Sequence, residues 1–279
     1  QEWINWNTEQ GIESSTQRTF FSYLRNYLYY RGIKTDQQDI KENLKFGKKI
    51  HVERHPLSQE EYRMIIGAIR NPKRKALFLL LGSSGMRIGE AMQLKKKDLD
   101  VSQERIKVNI PAEITKTRKG RSTYMSRETE KMLKPFLDDY ADDDFIFDFG
   151  STTDKSMRSA RESNNLRTVL KRLNLDDRYP SNNHGKITTH SFRAYFFTLA
   201  TRRHGENYAH RLTGHSGYLM QYDRMTEEEK LDMYIELEQD LMIYDQTKNE
   251  LEIEKLQKDN KELTKLRQEL RELKKEREL

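Results

Sequence analysis

The sequence predicts a mainly α chain carrying a small antiparallel β-sheet, an α+β fold. Three observations carry this. Apolar residues recur at helical spacing through most of the chain, as at Tyr62, Ile65, Ile66 and Ile69. Helix-start signals stand directly before such stripes: Ser58 with Glu61, and Thr226 with Glu229, each form a capping box. One stretch changes period: Arg105, Lys107 and Asn109 alternate with Ile106, Val108 and Ile110, the pattern of a half-buried strand. A turn over residues 115–120 and a returning strand over 121–125 complete a hairpin.

Composition narrows the class. Of 279 residues, 34% are hydrophobic and 34% charged, yet the apolar residues cluster, so a core can form. The net charge of +6 favours a polyanionic partner, nucleic acid before membrane. Cysteine is absent, which excludes disulfides, a thiolate nucleophile and a Cys-ligated metal, and fits an intracellular protein. No run of about 18 apolar residues exists to span a membrane. The chain opens on Gln1 without a signal peptide, as expected of a fragment of a longer polypeptide.

Residues 12–30 read as an amphipathic helix with Phe20, Tyr23, Leu24, Tyr27 and Leu28 on one face, a core stripe. Gly32 breaks it, and residues 36–44 suit a second short helix. These make a partial helical domain over 1–44. Residues 45–56 form a basic linker able to lie along a phosphate backbone.

Leu57 opens the main domain, residues 57–225. Pro72 suits the first turn of a helix, whose segment 76–81 is nearly all apolar and therefore buried. Gly82 to Gly85 stop it. Arg87 then begins a new helix among Met86, Ile88 and Leu94, an apolar setting in which an arginine needs an anion; Glu90, three residues on, is one candidate. Residues 126–140 read as a helix with Met132, Leu133 and Leu137 inward. The acidic segment 138–148 is a solvated loop anchored by Phe145, Ile146 and Phe147. Residues 155–173 are a basic amphipathic helix, with Leu166, Val169, Leu170 and Leu173 inward and Arg158, Arg161, Arg167, Lys171 and Arg172 outward. That cationic face suits duplex DNA or simply solvent.

Chemistry concentrates between residues 187 and 224. Thr188 or Thr189 caps a helix on which His190 and Arg193 share a face. A further helix over 206–213 is stopped by Gly214, which delivers His215 just beyond its end. Tyr222 follows between Gln221 and Asp223. Five of the seven histidines lie between His184 and His215, but without cysteine or a His-Glu-x-x-His pattern they do not make a metal site. A capped helix over 226–247 follows. Residues 248–279 place Leu256, Leu263, Leu266, Leu270 and Leu273 at heptad spacing amid mixed charges, a coiled-coil-like tail.

His190-x-x-Arg193, Gly214-His215 and Tyr222 together resemble the C-terminal catalytic box of the tyrosine recombinases, the phage-type integrase family. The string GMRIGEAMQL around Arg87 is similar to that family's first arginine box, in which Glu90 matches the acid expected to orient or balance the arginine. The resemblance implies a recombinase catalytic domain preceded by part of a core-binding domain that helps to clamp DNA. The segment 226–247 then becomes a docking helix, placed in this family on a neighbouring protomer. It implies that Arg87 and Arg193 bind the scissile phosphate, that His190 and His215 hold its oxygens or accept a proton, and that Tyr222 attacks phosphorus to leave a 3′-phosphotyrosine. By position in the hairpin, Lys116 matches the family's general acid, with Lys119 as the alternative. Tyr218 and Tyr234 are the other candidate nucleophiles. No metal, nucleotide or other cofactor enters this chemistry. The implied partners are double-stranded DNA and further copies of the chain, a tetramer on DNA, in the cytoplasm or nucleoid of a prokaryote or a virus-infected cell. A type IB topoisomerase-like enzyme or a non-catalytic DNA-binding protein are the competing readings.

Overall fold

The computed structural model describes residues 1–48, 52–150, 154–214 and 224–277. Backbone contacts divide the chain into two compact units: residues 1–54 with 178–186, and residues 55–177 with 187–279.

The smaller unit contains α1 (Glu2–Glu9), α2 (Ser14–Tyr30) and α3 (Gln37–Asn43). Helix α1 has only a weak sequence signal and is an addition to the expected elements. Asp36 caps α3, accepting N–H bonds from Gln38 and Asp39. The aromatic stripe of α2 is not core. Phe20 is 44% exposed and Tyr23 66%, with Leu24 and Tyr27 similarly open. The packed side of α2 is instead marked by buried Gln17, whose amide donates to Thr8 Oγ1 and to the Ile12 carbonyl. Helical periodicity reveals an apolar face but not whether anything covers it.

The larger unit holds the main core. Helix α4 (Gln59–Ala68) starts at the Ser58–Glu61 capping box. Helix α5 (Pro72–Ser84) is buried along its whole second half and runs on to Gly85, which ends it in the left-handed conformation at φ 66°. Helix α5 therefore continues through the Gly82-Ser83-Ser84 segment expected to stop it. The short helix α6 (Ile88–Ala91) follows. The sheet is three-stranded and antiparallel in the order β1 (Leu99–Asp100), β2 (Lys107–Ile110), β3 (Arg121–Tyr124). Its register pairs Val108 with Thr123 and with Leu99. Helix α7 (Arg127–Leu137) then packs on α5. The acidic loop is pinned by buried Ile146 and Phe147, and its Asp143 bonds Lys95 and Lys97.

Helix α8 (Lys155–Arg172) turns Leu166, Val169 and Leu170 inward. Several of its cations are engaged within the unit rather than forming one open face. Arg161 donates to the Phe149 and Gly150 carbonyls, Arg158 lies over the Phe145 ring, and Arg172 donates to the Ala68 carbonyl. Helix α9 (Thr189–His204) packs on α5, and α10 (Glu206–Thr213) packs on α9 and β3. Helix α11 (Glu227–Leu241) is built into the core of its own chain: Tyr234 is fully buried and donates to the Ser83 carbonyl. Helix α12 (Asp245–Arg277) begins earlier than the heptad pattern and buries Leu251. Beyond that base Leu256, Leu263 and Leu266 are exposed.

Arg105 departs from the alternation expected of its strand. It lies before β2 with its side chain 2% exposed, bonded at 2.8 Å to the buried Glu238 of α11. A long-range carboxylate, invisible to local pattern, turns this arginine inward.

Candidate active site

An open cleft of about 510 Å³ is bounded by Arg87, Glu90, Lys116, His190 and Arg193, with Ser159 and Thr189 also lining it. These residues come from four separate stretches of chain. The local sequence explains how each is presented.

Gly85 allows the reversal between α5 and α6. Its φ of 66° suits glycine, and a Cβ there would sit 2.4 Å from Phe196 and 2.8 Å from Thr213. Arg87 then occupies the N-cap position of α6. Its main-chain N–H donates to Glu90 Oε2 and its Nη1 to Glu90 Oε1, both at 2.9 Å. Glu90 is buried, and burial alone pushes its carboxyl up. The hydrogen bonds and positive charge of Arg121, with the bonds from Arg87, outweigh that and hold it below the usual carboxylate range.

Arg193 projects from α9 and is almost completely buried. It donates through Nη1 to the Gly85 carbonyl and through Nη2 to the Thr213 carbonyl, the latter at 2.6 Å. These neutral acceptors orient the guanidinium without cancelling its charge. Burial, then the positive charge of Arg87, pushes Arg193 down to about 9, which still leaves it cationic at neutral pH. The site thus presents two fixed guanidinium groups to the cleft, geometry suited to a phosphate.

His190 lies in the first turn of α9, exposed toward the cleft. Thr188 caps that helix by accepting the His190 N–H, while Ser191 Oγ accepts the Thr188 N–H at 3.0 Å. Lys116 is exposed on the β2–β3 connection and reaches the cleft wall. Lys119 does not line it; the Lys119 N–H bonds Thr115 Oγ1 and closes the turn. Tyr234 is sealed in the core. His215, Tyr218 and Tyr222 lie outside the described residues, whose upstream neighbour Gly214 ends α10 in the left-handed conformation. Among the described residues no group of three or more acidic or histidine side chains is arranged to hold a metal, and no helix is long and apolar enough to cross a membrane.

Sequence reasoning missed Arg121. It opens β3 with its side chain 7% exposed and bonds Glu90 at 2.6 Å. In sequence it is one more cation after a Lys-rich turn, and no local signal separates it from its neighbours.

Comparison with known proteins agrees with this architecture. The model of the phage integrase family matches residues 55–229. The tyrosine recombinase XerC-like protein of Caldanaerobacter subterraneus subsp. tengcongensis is 30% identical over 118 residues, covering 39% of this chain and 29% of that protein. The matched region is thus well under two thirds of that relative. Two solved structures share the fold. A lambda integrase dimer bound to a COC′ core site superposes with a TM-score of 0.57 at 17% identity, covering 80% of each chain. The Tn1549 transposon integrase in complex with transposon right end DNA gives 0.57 at 17% identity, covering 84% of this chain and 82% of that one. Since the family model takes in every element that bounds the cleft, the chain belongs to the phage integrase family, the tyrosine recombinases.

Proposed function

We propose that the chain is the catalytic part of a site-specific DNA recombinase that cuts and rejoins strands through a covalent 3′-phosphotyrosine. The observation that carries this is convergence: Arg87 and Arg193, more than a hundred residues apart in sequence, meet in one cleft with Lys116 and His190. Phosphodiester cleavage concentrates negative charge on the nonbridging oxygens, and two oriented guanidinium groups stabilise it as it develops. The leaving 5′-oxygen needs a proton, and Lys116, on an exposed turn at the cleft wall, is the donor. His190 and His215 hold phosphate oxygens, one of them taking the tyrosine proton. Tyr222 attacks phosphorus. The ester conserves the energy of the broken bond, so a second 5′-hydroxyl reverses it without metal or nucleotide.

The substrate is duplex DNA, in keeping with the net charge of +6. Residues 1–44 contribute part of a core-binding domain and residues 45–56 a basic linker along the backbone. The active assembly is a homo-oligomer on DNA, a tetramer, in which the heptad leucines of the tail join protomers. Tyr222 is preferred over Tyr218 because Gln221 and Asp223 flank it, whereas Tyr218 adjoins Leu219 and Met220.

The test is covalent capture. The protein is incubated with nicked duplexes enriched from a random-sequence pool, and adducts resistant to SDS are mapped by mass spectrometry. The parent forms an adduct at Tyr222, and chelators leave it unchanged. Tyr222→Phe binds DNA and forms none, while Tyr218→Phe still forms one. Arg87→Ala and Arg193→Ala each lose about 3 kcal/mol of transition-state stabilisation, roughly a hundredfold in rate. An adduct at Tyr218, or undiminished cleavage by either arginine variant, refutes the assignment concerned.

A further inference from the structure

We infer that Arg121 is the positioning residue that joins the two arginine-bearing halves of the site and keeps Glu90 from neutralising Arg87. The inference rests on the recombinase reading given above.

The Glu90 carboxylate is shared four ways. Oε1 accepts from Arg87 Nη1 at 2.9 Å and from Arg121 Nη1 at 3.2 Å. Oε2 accepts from the Arg87 main-chain N–H at 2.9 Å and from Arg121 Nη2 at 2.6 Å. A carboxylate offers about four acceptor sites, and these bonds fill them. Arg121 takes two, so the Arg87 guanidinium is held to Glu90 by a single Nη1 bond while its side chain lines the cleft. Without Arg121, the carboxylate is open to a second N–H from Arg87, which would draw that guanidinium back into a forked ion pair. The charge needed by a phosphate would then be cancelled.

The same side chain reaches the other half of the site. Arg121 Nε donates to the Leu212 carbonyl at 2.9 Å, in the last turn of α10. It also lies against the residue that closes α10: a Cβ on Gly214 would fall 2.9 Å from Arg121 Cδ and 3.1 Å from its Nε, at a backbone φ of 73°. Gly214 is therefore required twice, for its left-handed conformation and for the approach of Arg121. One guanidinium thus ties β3 to α6, which presents Arg87, and to the end of α10, which leads into His215. Lysine cannot reproduce this, because its ammonium lacks the fork that engages both oxygens of Glu90 and a carbonyl at once.

The test uses the full chain and the enriched nicked duplexes, reading adduct rate at saturating DNA separately from duplex affinity. Arg121→Met should slow adduct formation by roughly a hundredfold while affinity stays within about threefold, since backbone contacts elsewhere dominate binding. Arg121→Lys should recover less than about a tenth of the parent rate. Adding Glu90→Gln to Arg121→Met should raise the rate by about tenfold, because it removes the charge that captures Arg87; a purely structural role would lower it further. If Arg121→Met does not fold, Arg121→Lys, which keeps charge and most of the volume, carries the comparison. Cleavage by Arg121→Met or Arg121→Lys within about threefold of the parent overturns this inference alone, as does a further fall on adding Glu90→Gln. A parent chain that forms no adduct with any pool overturns the recombinase reading, and this inference with it.

Discussion

Replacing Glu238 by glutamine should destabilise the larger unit by about 3 kcal/mol, because it strands a buried charge. Glu238 is fully buried, and its partner Arg105 is 2% exposed at 2.8 Å. Breaking such a pair from one side costs roughly 3–5 kcal/mol, chiefly the penalty of the charge left behind. The lower end applies here for two reasons. The Glu104 carbonyl accepts from Arg105 Nη1 at 2.8 Å, and the Glu104 carboxylate, 51% exposed, stands 3.7 Å away. The glutamine carbonyl can still accept the Arg127 N–H that Glu238 Oε1 now accepts at 2.6 Å, but its amide then faces the guanidinium donor to donor. Adding Arg105→Met removes the stranded charge, so the double variant should regain most of the loss, a coupling of about 2 kcal/mol or more. Urea unfolding followed by circular dichroism, run as a double-mutant cycle, measures each term. If Glu238→Gln costs under about 0.5 kcal/mol, the pair is solvated and does not anchor α11.

Glu128 should make stability fall with rising pH. Burial pushes its carboxyl up to about 7 from 4.5, against the opposing N–H bonds from Tyr244 and Ile243. A raised folded-state value means the contribution is full below the unfolded value and is lost as pH climbs through about 7. At about 1.4 kcal/mol per unit, some 2 kcal/mol disappears between about pH 5.5 and 8. Glu128→Gln should flatten that slope in urea titrations; an unchanged slope assigns it to other groups. Deleting residues 255–279 keeps the base of α12, with Leu251 buried and Glu250 and Glu254 paired to Lys131 and Arg127. It should leave the unfolding free energy within about 0.5 kcal/mol, the usual range for surface changes, and leave cleavage intact. Self-association, measured by sedimentation, should weaken; unchanged self-association refutes the coiled-coil reading of the exposed leucines.

What was legible in the sequence was whatever local rules determine. The capping boxes at Ser58 and Thr226, Pro72 in a first turn, and Gly214 as a helix stop all act within a few residues. The pairing of β2 with β3 follows from a period-two run and a turn. What local rules cannot see is the partner across the chain. Arg105 reads as an outward strand residue until Glu238, 133 residues later, turns it inward. Arg161 and Arg172 read as outward cations, toward duplex DNA or solvent, with no sign in the sequence of the neighbouring carbonyls they bond. The stripe of α2 has the spacing of a core face, yet exposure shows it uncovered. Arg121 is the instructive case for the site. Arg87 and Arg193 sit in recognisable strings, whereas Arg121 has meaning only through Glu90 and Leu212, 31 and 91 residues away.

The means by which the site keeps its charge follows from the same contacts. Gathering Arg87, Arg121 and Arg193 around one carboxylate concentrates like charge out of water, which burial and mutual repulsion oppose; both effects lower Arg193. A second carboxylate would relieve this but would cancel the positive field that a phosphate requires. The fold uses helix ends instead. Arg193 bonds the Gly85 carbonyl, where α5 closes, and the Thr213 carbonyl, where α10 closes. Arg121 bonds the Leu212 carbonyl in that same last turn. Carbonyls at a helix C-terminus lack intrahelical partners and carry the negative end of the helix dipole, equivalent to roughly half a charge. They stabilise a guanidinium by about 0.3–2 kcal/mol while leaving its formal charge in place. Two helix C-termini converging on two arginines therefore offset part of the desolvation cost without neutralising the cleft. The glycines that end those helices set the packing there: Gly214 leaves room for Arg121, and Gly85 leaves room for Phe196 and Thr213.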